Sequence, residues 1–518
     1  MRLKQRVKAV GQRQPGQGRA IDVTFRQDLY YTIHREPDRP IVEYKGRQFS
    51  KGEYAALADR TVVLLDAAGI EPQLSVGVIV RNRVLHAAAL LGLIAHGRSL
   101  TSVYAMQSAE AISAEIRESR FAAIIADAQD WTTPVVEACR AVGAVGIVLD
   151  HGWLDADGVR LIDFVPGLVR PGQGPFREVV GEPGLEVLSS GTTGKPKRVL
   201  FPTRMLTRAV ESVTAGNRDA IQPDVLAWPY GGIGGMCALI AAAKLDRYTC
   251  ILEKFNVAEW VDAIRRLKPS SISGVPAMAR MILDAKVPKA DIASLRYFYG
   301  GSAPMTPALQ TEFEQTYGIT VIWAYGATEF CGTVISWSPE LHEEFGKSKL
   351  GALGRALPGI SLRITDGANR AELGAGQVGY LEVRSAMLGD DWIRTTDLAE
   401  IDADGFVFHR GRGDGAILRG GFKVLPEVVV EALLSHPAVL DAAVVGQPDD
   451  RLGAVPVAAV ELKAGACAPT EEALRDHVRR ELTQPQIPAK VLILDALPRT
   501  PSMKVDLATL GRILAEAT

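Results

Sequence analysis

Cysteine is scarce and scattered. Five occur in 518 residues (Cys139, Cys237, Cys250, Cys331 and Cys467), an odd number with no CxxC pair. That usage excludes a disulfide frame and points to a reducing, cytoplasmic setting. The eight histidines show no HExxH or comparable spacing, so no structural transition-metal site is expected. No apolar run is long enough to span a bilayer. An excess of one charge is also lacking: 58 cationic against 60 anionic residues leave −2, which excludes a general nucleic-acid surface. The start of the chain is the exception. Arg2, Lys4, Arg6, Lys8, Arg13 and Arg19 appear there with no acid among them. No apolar h-region follows, so this is read as a solvated or loosely docked tail and not as a secretory signal.

What is present is material for several cores. The length exceeds one ordinary domain, and 47% hydrophobic residues supply ample apolar side chains. "SVGVIV" (75–80), "AAIIAD" (122–127), "VLAWPY" (225–230), "TCILEKF" (249–255) and "TVIWAYG" (320–326) read as strands. "LHAAALLGLIAHG" (85–97) and "VAEWVDAIRRL" (257–267) read as helices between them. Continuous apolar strands alternating with helices predict parallel sheets covered on both faces. No repeat of 20–50 residues occurs, which excludes a solenoid.

Composition shifts at "DGFVFHRGRGDGAILRGG" (404–421), dense in glycine and charge. Beyond it a helix, two strands, a second helix and a final strand "KVLILD" are expected. The predicted organisation is therefore α/β: a large N-terminal body of α/β subdomains over 1–410, a hinge at 411–415, and a small α+β C-terminal domain over 416–518.

One loop raises the functional question. "LSSGTTGKPKRVL" (188–200) concentrates hydroxyls, glycines and lysines. Glycines let backbone N–H groups converge on an anion, hydroxyls add donors and lysines add charge, which is what phosphates need. The spacing is not that of a Walker A loop: Gly191 and Gly194 stand too close, and Pro196 follows Lys195 where a helix should begin.

The loop has company. "YGATE" (325–329), "RTTDL" (394–398), "GRGDG" (411–415), "GGFKVLPEVVVE" (420–431) and "LPRTPSMKVD" (497–506) follow in order. Together with "SSGTTGKPK" they closely resemble the motif set of the adenylate-forming superfamily, which includes acyl-CoA synthetases, and the resemblance covers nearly the whole chain. It implies an ATP-dependent acid:CoA ligase that forms an acyl-adenylate, releases pyrophosphate and then makes a thioester. ATP, Mg²⁺ and coenzyme A are the implied cofactors.

By that resemblance Ser189, Ser190, Gly191, Thr192, Thr193 and Lys197 wrap the ATP phosphates. Tyr325 stacks on adenine, with Gly301, Ser302 and Ala303 on its other side. Thr328 touches the α-phosphate, and Glu329 holds Mg²⁺, a hard cation suited to carboxylate oxygens. Asp397 accepts the ribose hydroxyls and Arg412 reaches ribose or phosphate. Lys504 takes the place of the catalytic lysine, whose ammonium stabilises charge as a carboxylate attacks the α-phosphate. Asp414 matches the hinge about which the mobile small domain swings, and Gly420, Gly421 and Lys423 match the segment used in the thioester step.

The chain departs from the family pattern at Arg198, Thr396, Gly415, Leu418 and Met503. It also departs at "WPYGGIGG" (228–235), where Trp228, Gly231 and Gly232, with Ala324, Gly326, Ala327, Cys331 and Val334, are the expected acyl-pocket walls. Four glycines there predict extra volume and a bulky hydrophobic acid of terpenoid, steroid or aryl type; close helix–sheet packing is the alternative reading of the same glycines. No acid occurs in 228–235 to hold an amino-acid ammonium, which weighs against an amino-acid substrate. A carrier protein remains open as acceptor in place of CoA, oligomeric state is left open, and a non-catalytic nucleotide-binding protein is the reading from another class.

Overall fold

Val76–Val80 and Ala123–Asp127 are buried along their whole length, as parallel strands covered on both faces must be. The computed structural model describes residues 24–105, 107–152, 162–188, 198–203, 205–207, 210, 222–301, 305–327, 330, 332–385, 389–413, 415–419, 422–449, 452–482, 484–500 and 503–517. Both strands lie in a seven-stranded sheet. Its order is Ile162–Phe164, Val145–Leu149, Ala123–Asp127, Val76–Val80, Leu100–Tyr104, Gly184–Leu188 and Arg198–Pro202. The inner strands are parallel and the two edges antiparallel. From Val76–Val80 the chain steps one way to Leu100–Tyr104, then crosses to the other side for Ala123–Asp127. The order therefore reverses between those strands, and in such sheets ligand crevices open at the carboxyl ends beside the reversal.

The helix Val84–Ala95 fills one face of this sheet and is buried at every residue. It packs against the helix Lys51–Ala67, which begins with a capping box of Ser50 and Glu53. The approach is close because of Gly92: a Cβ there would stand 2.3 Å from the Ala58 carbonyl oxygen.

A second parallel unit carries Ser271–Gly274, Tyr297–Gly300 and Thr320–Ala327, continued antiparallel by Gly332–Ser336 and Arg355–Ala356. A four-stranded sheet joins Asp224–Leu226 and Thr249–Ile251 to the hairpin Pro40–Tyr44 and Arg47–Ser50. The strand expected over 225–230 is thus shorter, ending at Leu226. The body also holds an element the apolar-run pattern did not anticipate, an antiparallel sheet of Ile360–Thr365, Gly379–Ser385, Gly389–Ile401 and Val407–Arg412. Its strands are half-polar and joined without crossover helices, so antiparallel pairing is the only order open to them.

The C-terminal residues form their own five-stranded sheet, with Gly453–Leu462 pairing Val439–Asp449 and Lys490–Leu494. Val424, Val429, Leu433, Leu474 and Val478 fill one side of it. The sequence reading ended this unit at a strand; the structure adds a last helix, Leu507–Glu516, whose Leu510 and Leu514 close the other side against Val457 and Ala459. No helix among the described residues is long and apolar enough to cross a membrane.

Gly92→Ala is expected to force the two packed helices apart and to cost about 1–3 kcal/mol. A lowered urea midpoint at constant slope is the predicted readout, and an unchanged midpoint contradicts the packing.

Candidate active site

The register of one strand pair creates the centre of the site. Gly389–Ile401 runs antiparallel to Val407–Arg412 with Asp397 opposite Arg412 and Ala399 opposite His409, and a bulge separates the two pairs. Bulges re-aim side chains, and this one lets carboxylate, guanidinium and imidazole converge. Thr395 holds the bulge: its hydroxyl accepts from the Asp397 N–H at 3.1 Å and donates to the Leu381 carbonyl at 2.9 Å.

Asp397 also meets a third strand. The Tyr325 hydroxyl, on Thr320–Ala327, donates to Asp397 Oδ2 at 2.5 Å, and His409 Nε2 lies 3.6 Å from Oδ1. Burial works to raise the Asp397 pKa, but the bonds from His409 and Tyr325 and the nearby Arg412 charge outweigh it, so the carboxyl lies below its ordinary range. The group is an ionised acceptor at neutral pH. Thr396, one of the departures from the family pattern, has a definite partner: Arg412 Nη2 donates to its hydroxyl, and Gly413 N–H donates to its carbonyl at 2.7 Å.

The flanks of Tyr325 are tight. A Cβ on Gly326 would stand 2.1 Å from the Gly332 carbonyl oxygen, and one on Gly301 would stand 2.7 Å from the Ala324 carbonyl oxygen. Gly326 was expected as acyl-pocket wall; close backbone approach at the Tyr325/Gly326 register shift is what excludes any side chain there.

Two C-terminal side chains reach this centre. The helix Pro426–Leu434 meets the strand Val407–Arg412, and Glu427 in its first turn lies against Gly411, whose φ is +100°. A Cβ at Gly411 would come within 2.5 Å of Glu427 Oε2. Burial pushes the Glu427 carboxyl up, with His409 and Arg412 opposing. Lys504 comes from a turn in which Thr500 N–H donates to the Lys504 carbonyl at 2.7 Å. Lys504 keeps an exposed face, yet its ammonium is crowded. Burial lowers its pKa, Arg412 lowers it further, and Asp397 acts in the opposite sense. The lysine is therefore within electrostatic reach of both members of the Asp397–Arg412 pair. Met503, standing where the family has glycine, takes a left-handed φ of +64°.

The loop expected to hold the acyl group is braced by residues that carry no sequence signal. Asn82 Nδ2 donates to the Trp228 carbonyl at 2.6 Å and Asn82 Oδ1 accepts from Tyr230 N–H at 2.9 Å. Ser102 Oγ donates to the Gly231 carbonyl at 2.8 Å. The glycines there do not leave open volume as expected. A Cβ on Gly231 would stand 3.0 Å from the Tyr104 ring, Gly232 lies beside the Tyr104 hydroxyl, Gly234 faces the Trp228 ring, and a Cβ on Gly235 would be 2.1 Å from the Pro229 carbonyl oxygen. Two rings and a helix start use the space. Arg198 is likewise committed: it pairs with Glu115 at 2.7 Å, donates to Ser119 at 2.8 Å and lies over the Phe121 ring.

The structure thus brings together Gly301, Ala324, Tyr325, Gly326, Asp397, Arg412 and Lys504, and places Trp228, Gly231 and Gly232 on a braced loop. Ser189, Ser190, Gly191, Thr192, Thr193, Lys197, Ser302, Ala303, Thr328, Glu329, Cys331, Asp414, Gly420 and Gly421 lie outside the described residues, as does the side chain of Lys423. His409, Glu427, Asn82 and Tyr104 were not singled out from the sequence. Glu427 lies inside "GGFKVLPEVVVE" and His409 two residues before "GRGDG", so these two stood close enough to a motif to be suspected.

The chain is similar to known proteins over most of its length. The family model described as AMP-binding enzyme matches residues 29–389, and that of the AMP-binding enzyme C-terminal domain matches 429–504. A fatty acid–[acyl-carrier-protein] ligase, ScoC, of Streptomyces coeruleorubidus is 28% identical over 93% of this chain and 95% of its own length. A 2-succinylbenzoate–CoA ligase of Bacillus subtilis is 30% identical over 61% of this chain and 66% of its own. The solved structure of O-succinylbenzoate coenzyme A synthetase from Bacillus subtilis with ATP and magnesium shares the fold, with a TM-score of 0.75 at 23% identity over 94% of this chain and 99% of that one.

Met503→Gly is expected to remove a left-handed strain of about 1 kcal/mol and to raise the melting temperature. A lower melting temperature would show that the methionine side chain contributes more by packing than its backbone loses.

Proposed function

The chain belongs to the AMP-binding enzyme family as an ATP- and Mg²⁺-dependent, AMP-forming acid–thiol ligase, and from that premise we propose that its acid is hydrophobic and carries a planar aromatic group, with CoA as the thiol. One observation carries the assignment of roles: Lys504, from the C-terminal unit, lies within electrostatic reach of Asp397 and Arg412 in the body.

In this reading Asp397 accepts the two ribose hydroxyls of ATP, an ionised carboxylate being the best neutral-pH acceptor for a vicinal diol. Tyr325 turns its ring face to adenine while its hydroxyl fixes Asp397, and Gly301 keeps the opposite flank clear with Ser302 and Ala303. Ser189, Ser190, Gly191, Thr192, Thr193 and Lys197 hold the phosphates, Thr328 the α-phosphate, and Glu329 the magnesium ion. A substrate carboxylate oxygen attacks the α-phosphorus, the bond to the β-phosphate oxygen breaks, and pyrophosphate leaves with the electron pair. Negative charge accumulates as this happens, and the Lys504 ammonium offsets it. The thiol then attacks the acyl carbonyl and AMP leaves. Rotation about Asp414 would bring Gly420, Gly421 and Lys423 to the adenylate for that step.

The substrate reading rests on the loop around Trp228. No charged residue occurs in 228–235, so the walls suit an apolar acid. Tyr104 occupies the side of Gly231, which favours a flat ring that can lie against an aromatic face over a bulky polycycle. The aromatic acid named for the 2-succinylbenzoate–CoA ligase supports the same class. The carrier-protein ligase among the relatives supports a second acceptor, a phosphopantetheinyl carrier protein in place of CoA.

Lys504→Ala is expected to slow acyl-adenylate formation at least ~10²-fold while leaving thioester formation from added adenylate nearly intact; equal loss in both half-reactions contradicts the role. The ammonium must be protonated to act, so adenylation falls as pH rises through a pKa below the ordinary lysine value. Among the described residues Asp397 is the charge that raises that pKa, so Asp397→Asn should move the alkaline limb to lower pH. Pyrophosphate release from a graded panel of acids, run with CoA and with holo carrier protein, tests the substrate: arylalkanoic and arylcarboxylic acids should lead, and a preference for acetate would refute the aromatic assignment.

A further inference from the structure

We propose that His86, Asp127 and His151 form a binding site for one divalent transition ion of the zinc class, at the reversal point of the seven-stranded sheet and apart from the nucleotide centre. The position is one where α/β sheets hold ligands. Asp127 is the last residue of Ala123–Asp127, His151 follows Val145–Leu149 by two residues, and His86 opens the helix after Val76–Val80. All three therefore stand at carboxyl ends of parallel strands beside the switch.

The hydrogen bonding points to a missing partner. His86 is 0% exposed, and neither of its ring nitrogens has a hydrogen-bond partner. A neutral imidazole always carries one donor and one lone pair, and leaving both unpartnered in a core is costly. Nδ1 of His151 is also buried without a hydrogen bond, although it lies 2.9 Å from Asp127 Oδ2. At that distance the His151 ring and the Asp127 carboxylate already face one another, and His86 is the ring left with neither nitrogen bonded. One ligand atom from each residue falls within 4.8 Å of the others. Metal bonds of roughly 2.0–2.1 Å to nitrogen and oxygen draw such atoms together with small side-chain shifts. The two imidazole planes are nearly parallel, 11° apart, with ring centres 5.7 Å apart, so the rings are direct neighbours.

The donor set, two imidazoles and one carboxylate, fits zinc chemistry. Arg83 donates to Asp127 Oδ2 at 2.9 Å, but Glu253 takes the same guanidinium at 2.5 Å, and Arg81 is paired with Asp130 at 2.5 Å. Asp127 thus shares Arg83 with Glu253, and an ion would compete with that guanidinium for Oδ2. The cost is a long bond: coordination through Nδ1 puts the proton of His151 on Nε2, where it gives up the 3.4 Å contact from Leu85 N–H. Two imidazoles and one carboxylate, with a fourth position for water, match common zinc sites. Asn82 sits next to Arg83 and braces the Trp228 loop, so the ion would stiffen the base of that loop.

The test reads metal and not ligase activity, so its outcome is independent of the function proposed above. The full chain is stripped with chelator, incubated with Zn²⁺, passed through gel filtration and analysed for metal; a parallel sample receives Co²⁺ and is scanned in the visible range. Wild type is expected to retain about one zinc per chain, to melt higher with zinc, and to show cobalt ligand-field bands with a nitrogen–oxygen signature. His151→Ala and His86→Gln should each lose the bound zinc and the bands. Retention below a tenth of an equivalent and no cobalt band in the wild-type chain overturns the proposal in favour of a buried water. Unchanged zinc binding in both folded variants overturns it in favour of another site. If either variant fails to fold, the wild-type cobalt spectrum alone decides, because bands lacking imidazole character exclude this ligand set.

Discussion

The pairing of Gly389–Ile401 with Val407–Arg412 is the constraint on which the nucleotide centre depends. Its register sets a carboxylate opposite a guanidinium, and its bulge turns Asp397 toward a tyrosine from a different sheet. Even a half-buried acid is costly to ionise unless its oxygens are partnered. Tyr325 from one strand and His409 and Arg412 from another supply those partners. The departure at Thr396 belongs to the same scheme: a hydroxyl in place of glycine gives the guanidinium a fixed seat.

That centre also links the two parts of the chain. Lys504 and Glu427 arrive from the C-terminal unit, and Arg412 influences both, lowering the lysine and opposing the rise of the glutamate. Asp397 acts in the opposite sense to Arg412 on that lysine. The left-handed Met503 just before it shows that the turn geometry is kept even where the residue is poorly suited to it.

Around the acyl loop the same backbone is explained by packing. Gly235 and Gly326 are required by carbonyl oxygens about 2 Å from where a Cβ would be, and Gly231 by the Tyr104 ring. Glycine in a pocket motif is ambiguous from sequence because an absent side chain can mean either room for a ligand or room for a neighbour. Here it means a neighbour: the Tyr104 and Trp228 rings lie against Gly231 and Gly234.

Much of the architecture follows from local patterns. Fully apolar strands such as Val76–Val80 and the helix Val84–Ala95 announce parallel α/β layers, and the helix and strand runs after residue 424 announce a separate unit. The ordered motifs announce a nucleotide, because phosphate, ribose and adenine each demand a residue type that can be written in a line of sequence. What tertiary structure alone decided are encounters between residues remote in the chain: His409 and Tyr325 on Asp397, Tyr104 on Gly231, Glu427 on Gly411, and two histidines with an aspartate at one strand reversal. Sequence spacing carries no record of these, since strand order and register, not distance along the chain, determine which side chains meet.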